Sequence, residues 1–155
     1  VDLPVTSAAS AATKESYSAQ IDGTSVLTVY GESDGSGGTK NRRIEINNTA
    51  VFASEYDNGN SGVAKTVDWN SGNKQKVTMT GNCTFTLTAP TGGVANLLIR
   101  LIQDATGGRT ATWPASVKWP GGSAPTLTAA ANAVDIVTCF YNGTSYYCSS
   151  GLDFK

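Results

Sequence analysis

From residue 63 onward the chain reads as short apolar–polar alternations set between turn residues, and this pattern limits the fold more than any other. The segments 63–69, 74–79, 83–88, 96–103, 134–141 and 145–149 carry β-branched or aromatic residues at a period of two. That is the spacing of half-buried strands. No long amphipathic helix interrupts them. Upstream, 25–30 and 43–47 alternate in the same way around a Gly-rich turn at 35–38, and 50–56 is a further candidate before a turn-rich loop at 57–62. The expected class is all-β, an antiparallel β-sandwich or barrel-like domain with a short N-terminal arm. Residues 1–20 form the arm or linker, Ala-rich without an apolar stripe and either helical or extended. Residues 21–62 form a small β region, and 63–155 the main antiparallel β domain. A chain of 155 residues buries roughly two-thirds of its unfolded surface, enough for one real core or two small ones.

Specific registers follow from the alternation. Val77 and Met79 alternate with threonines, as do Phe85 and Leu87. A hairpin with the three-residue loop Thr80-Gly81-Asn82 then sets Val77 opposite Phe85 and Met79 opposite Cys83, placing Cys83 on the core side. The pair Asn142-Gly143 is a two-residue hairpin signal that sets Cys139 against Tyr146 and Val137 against Cys148. In that register Cys139 and Cys148 stand diagonally, about 7–8 Å apart at Cα. This is beyond comfortable disulfide reach, so Cys83, Cys139 and Cys148 are expected as three reduced thiols. The run Leu97 to Ile102 is apolar except for Arg100, as in a central strand covered on both faces. One surface of a small sandwich is normally wet, so the outward set Leu98, Arg100 and Ile102 is the candidate subunit interface.

Residues 103–122 read QDATGGRTATWPASVKWPGG and hold the pairs Trp113-Pro114 and Trp119-Pro120. Proline fixes φ and removes a backbone donor, so neither pair lies inside a central strand. Tryptophan buries its ring while its N–H seeks a partner. Two roles are open. The tryptophans plug the ends of the sandwich with proline setting the corners, or Trp113 and Trp119 join Tyr146 and Tyr147 as an exposed contact for a sugar or receptor.

Histidine is absent, which removes Ser-His-Asp and Cys-His hydrolases and most zinc sites. There is no CxxC spacing, phosphate loop or dinucleotide fingerprint, so neither cofactor nor metal is expected. A carboxylate pair is the remaining route to catalysis. Glu32, Asp34, Glu45, Glu55, Asp57, Asp68, Asp104 and Asp135 show no spacing that marks two as partners, and most sit in turns where Asp bonds nearby backbone. The expectation is no enzyme. Net charge is −1, and the one basic cluster, Lys40, Arg42 and Arg43, lies beside Glu32 and Asp34. That provides no electrostatic footprint for nucleic acid. No run of 18 apolar residues supports membrane insertion, and the opening Val1-Asp2-Leu3-Pro4 has no secretory pattern.

The elements DW-x-x-GN-x-Q (68–75), QDATGGRT (103–110), WP-x-x-VKWPGG (113–122) and VDI…FYNGTSYY (134–147) jointly resemble a module of bacteriophage virion proteins, especially tail fibres and tailspikes. The phrase VLTVYGESDG (26–35) is similar to fibre sequences as well. The resemblance implies a non-enzymatic structural component of the virion, assembled in the host cytoplasm as a homotrimer beside other virion proteins, with a host-surface glycan as a further partner. It leaves a tail fibre or spike module and a capsid decoration protein both open, and assigns no catalytic residue. The alternatives are a receptor- or carbohydrate-binding domain for host attachment that uses the Trp-Pro loop, and a glycan hydrolase. Glycan-cleaving tailspikes resemble long parallel β-helices, which a short chain of antiparallel hairpins does not suit.

Overall fold

The computed structural model describes residues 14–34, 36 and 39–155. These divide into two compact units, one ending at Phe52 and one beginning at Ala53. The expected boundary at 62/63 therefore falls within the second unit. The first part of the expected arm, 1–13, lies outside the described residues, as do Gly35, Gly37 and Gly38 of the expected 35–38 turn.

The first unit is an antiparallel sheet of β1 (Lys14–Ile21), β2 (Thr24–Ser33) and β3 (Thr39–Ile46), in that order. Residues 14–20 of the expected arm are thus strand. Asp22 (φ 49°) and Gly23 (φ 75°) supply the two left-handed positions of a tight hairpin turn between β1 and β2. Alternation makes the sheet two-sided. Leu27 opposes Ile46 and Val29 opposes Ile44 on one face; Thr28 opposes Glu45 and Tyr30 opposes Arg43 on the other. The polar face is laced together: Arg43 lies 4.1 Å over the Tyr30 ring and 2.5 Å from Glu45, and Lys40 sits 3.5 Å from Glu32. The apolar face is open, with Val29, Ile44 and Ile46 exposed by 46, 68 and 54%.

The second unit is a sandwich of two sheets. Its strands are β4 (Tyr56–Asn60), β5 (Ala64–Asp68), β6 (Lys74–Met79), β7 (Cys83–Thr88), β8 (Ala95–Gln103), β9 (Ala111–Thr112), β10 (Val117–Lys118), β11 (Val134–Tyr141) and β12 (Tyr146–Phe154). The large sheet runs β10-β12-β11-β8-β6-β4 and the small one β5-β7-β9. The all-β expectation holds, but the connection between β6 and β7 corrects the expected hairpin. Residues 80–82 carry the chain from one sheet into the other, so β6 pairs in parallel with β4 and β8, and β7 in parallel with β5 and β9. Both arrangements point Val77, Met79, Cys83 and Phe85 into one core, and all four are at most 2% exposed. Facing alone therefore does not distinguish a reversal within a sheet from a step between sheets.

The result is three stacked rungs, β4–β5, β6–β7 and β8–β9, each crossing from the large sheet to the small one. Parallel pairing of the rungs thus joins the antiparallel pairing of β8, β11 and β12 in the large sheet. The corners pack backbone on backbone. Ser61 N–H donates to Thr78 O (2.8 Å), Thr84 N–H to Val63 O (3.0 Å) and Cys83 N–H to Thr110 O (2.8 Å). A side chain at Gly81 would meet Gly62 O at 2.8 Å, so only glycine lets the first two corners stack. β4 is the strand that the expected 57–62 loop concealed. It has no β-branched residue, and it is held by Asn58, whose amide donates to Gln75 Oε1 (2.8 Å) and Lys76 O (3.1 Å). Gln75, fully buried, in turn donates to Asp68 O and Gly72 O, both at 2.7 Å, so its burial leaves no amide unmatched.

β8 is the central strand, between β6 and β11. Its inward residues Leu97, Ile99 and Leu101 join Val77, Met79, Phe85, Val67 and Val137 in the core. Each such side chain contributes roughly 1.5–3 kcal/mol on burial. The β11–β12 hairpin corrects the second expected register. Tyr141 pairs with Tyr146 and Cys139 with Cys148, so the loop is the four residues 142–145. Asn142 Oδ1 accepts from the N–H groups of Thr144 (3.0 Å) and Ser145 (2.8 Å), and Gly143 takes φ 97°. The longer loop brings the two cysteines directly opposite, with Cα atoms 4.1 Å apart, and they form a disulfide; only Cys83 is a free, buried thiol. The expectation of three reduced thiols is overturned by that change of loop length.

Candidate functional site

Two surfaces of the second unit bear the residues that the sequence singled out. The Trp-Pro segment is the first. Pro114 O accepts from Val117 N–H (2.9 Å), and Trp119 O accepts from Gly122 N–H (3.0 Å) across Pro120-Gly121. Gly121 at φ 68°, ψ 5° after a proline is a type II turn. Between these turns β10 joins the large sheet, with Val117 beside Tyr146 and Lys118 beside Tyr147 in parallel. The indoles turn toward the core. Trp113 stacks on Phe85 with centroids 4.9 Å apart, and Trp119 meets Trp113 edge-on at 5.6 Å. Both are half-buried against the core cluster. Both therefore pack against the core while staying partly accessible, and the segment clasps the β12 edge.

The outer face of the large sheet is the second surface. Parity along β8 sends Leu98, Arg100 and Ile102 outward, where they are half-buried. Pairing sets Thr138 beside Leu98, Ile136 beside Arg100 and Val134 beside Ile102 on β11. Arg100 makes a bidentate pair with Glu55, its Nε 3.3 Å from Oε2 and its Nη2 bonded to Oε1. That pairing and burial act on the guanidinium in opposite directions, and the hydrogen bond to Glu55 prevails, raising its pKa. At the other end of the face, Phe140 and Tyr147 stand opposite each other, exposed by 47 and 53%. Together with Lys74, Asn96, Leu98, Thr138 and Ser149 they line a shallow concavity of about 360 Å³. Thr138 and Ser149 hydroxyls lie 3.2 Å apart within it. Tyr146, expected beside Tyr147 as a contact, instead faces inward, 3% exposed and 4.6 Å from the Tyr141 ring. Successive strand residues point to opposite faces, so the two tyrosines cannot share one surface. Burial raises the pKa of the Tyr146 phenol. Phe140 was readable as an outward residue from the same parity but went unnamed, and Glu55 carried no local signal of its partner.

Four other carboxylates of this unit, Asp57, Asp68, Asp104 and Asp135, are engaged by neighbouring groups. Asp135, buried, accepts from Thr128 N–H and Oγ1 (both 2.8 Å) and from Asp153 N–H (2.9 Å). Asp104 accepts from Gly107 N–H and the Arg109 guanidinium, each at 2.9 Å; chiefly the arginine holds its carboxyl below the usual range. Asp57 is lowered mainly by the Gly59 N–H, with Lys76 beside it at 3.2 Å. Asp68 caps the 3-10 turn Trp69–Ser71 by accepting from Asn70 N–H. Among the described residues no group of His, Cys, Asp and Glu is placed to hold a metal ion.

Residues 62–146 match the model of the family described as "Putative phage tail fibre C-terminal domain". The chain belongs to that family. The match spans the rungs from the β4–β5 corner onward, the Trp-Pro clasp and β11, and ends at the first residue of β12. No curated protein and no solved structure matches the chain. Membership makes it a phage tail fibre-like structural protein and a component of the virion.

Proposed function

We propose that the tail-fibre chain is a non-enzymatic structural module that self-assembles as a homotrimer through the outer face of the large sheet, next to other virion proteins and within the host cytoplasm. The observation that carries this reading is the strip of Leu98, Ile102, Val134, Ile136, Phe140 and Tyr147 across β8, β11 and β12. A face meant only for water would alternate to polar residues here. The local posts of Asp57, Asp68, Asp104 and Asp135 support the non-enzymatic part. Light scattering after size exclusion tests it. The chain should run near three times its 16.0 kDa mass, and Leu98→Lys/Ile136→Lys should run as a folded monomer. A wild-type monomer would overturn the reading.

A second reading has its own observation, the concavity lined by Asn96, Leu98, Thr138, Phe140, Tyr147 and Ser149. Two aromatic rings beside hydroxyl and amide groups suit a sugar ring of a host-surface glycan, which moves the expected contact from the Trp-Pro loop to the sheet face. Under this reading Tyr147→Ala abolishes binding to host cells without lowering the unfolding temperature, and unchanged binding rules it out.

A further inference from the structure

The sulfur pair of the last hairpin carries chemistry that the fibre role does not use. Its geometry is set by bonds that do not involve sulfur. β11 is held along eight residues by β8, and the 142–145 turn is fastened by Asn142, whose N–H also donates to Ser145 O at 3.2 Å. β12 is clasped on its other side by β10. This register places Cys139 and Cys148 directly opposite each other. Both cysteines lie on the inner face, 7 and 4% exposed as residues.

We propose that the Cys139–Cys148 bond is a redox latch, closed on a hairpin that has already folded, which fixes β12 and through it the Trp-Pro clasp. The electrons go to a small-molecule disulfide such as oxidised glutathione. One cysteine thiolate attacks a glutathione sulfur and expels one glutathione thiolate. The second cysteine thiolate then attacks the protein sulfur of that mixed disulfide and expels the other. Two protein thiols become one disulfide, and one oxidised glutathione becomes two reduced ones. Cys83 stays out of this exchange because it sits on β7 in the other sheet, whereas Cys139 and Cys148 face each other across β11 and β12. The latch reaches the clasp through β12, with which β10 pairs at the two residues preceding Cys148. The inference does not rest on the trimer or glycan readings. It fits a chain made in a reducing compartment and used outside it.

The test uses the full chain, purified in reductant and then treated with oxidised glutathione. Alkylation after denaturation, counted by mass, should fall from three thiols to one. The strand circular dichroism should be the same before and after. For a bond nine residues apart the unfolding midpoint should rise by about 10 °C. Cys83→Ala should keep that rise. The double variant Cys139→Ala/Cys148→Ala should fold, melt with the reduced chain and ignore the oxidant. The proposal is overturned if the reduced chain or the double variant has no cooperative transition, since the bond would then make the fold rather than lock it. Three thiols left after oxidation, or a lasting glutathione adduct, overturn it too.

Discussion

The sheet of the first unit and the sandwich of the second are written in the same alternating pattern, yet only one of them has a core. Among the described residues of the first unit none is fully buried, whereas the second buries Phe85, Met79, Ile99, Leu101 and their neighbours at 2% exposure or less. Leu27, Val29, Ile44 and Ile46 share a face as cleanly as Val77 and Met79 do. Alternation makes a strand two-sided; a second layer makes that side an interior. In the second unit the layer comes from the chain itself, which steps into the small sheet after β4, β6 and β8.

The sharpest way to break this contrast is to separate the units. A fragment of residues 53–155 should melt cooperatively, and 14–52 alone should show no transition by circular dichroism, since a lone sheet has no second layer to bury its apolar face against. A cooperative melt from the shorter fragment would mean that it has a core of its own. Next in size, Phe85→Ala should cost about 3–5 kcal/mol in chemical denaturation. Ile44→Ala, at an exposed position of equal alternation, should stay within about 0.5 kcal/mol.

Glycines sharpen the comparison further. Gly107 (φ 72°) and Gly23 (φ 75°) share a left-handed backbone. A methyl group at Gly107 would lie 2.8 Å from Ala131 N and closer to Ala129 O, while one at Gly23 would meet nothing within 4 Å. Gly107→Ala should therefore cost about 2–4 kcal/mol, from backbone strain and overpacking together, and Gly23→Ala about 1 kcal/mol. Equal losses would show that strain alone decides. The smallest effect concerns pH. Asp104 titrates below its ordinary 3.8 when folded, so its stabilisation is complete above that value and fades as pH falls through the lowered pKa. Asp104→Asn should flatten the acid limb of the stability curve below about pH 4 and leave its neutral shape alone. An acid limb identical to the wild type would remove the Arg109 pairing from the account.

What the sequence disclosed follows the same line. The all-β class and the inward set were legible because parity is a property of adjacent residues. Leu98, Arg100 and Ile102 were readable as outward for that reason. Sheet membership was not legible, because Thr80-Gly81-Asn82 serves a reversal and a corner equally well. β4 was hidden because Asn58 and Gln75 hold it through side chains rather than through propensity. The disulfide was missed over a two-residue difference in loop length, which turns a diagonal pair into a facing one. Glu55 lies 45 residues from Arg100, and nothing local announces that pair.

The placement of β8 has a kinetic consequence. The strand at the middle of the large sheet touches neither of its sequence neighbours there; it waits for β6 on one side, where Lys74 meets Leu98, and for β11 on the other, where Ala95 meets Tyr141. Each closure spans tens of residues before any contact rewards it, which places refolding in the millisecond-to-second range rather than the microseconds of a local hairpin. Closing β8 onto β6 and β11, rather than the quick local turn at Asn142, is therefore the expected slow step.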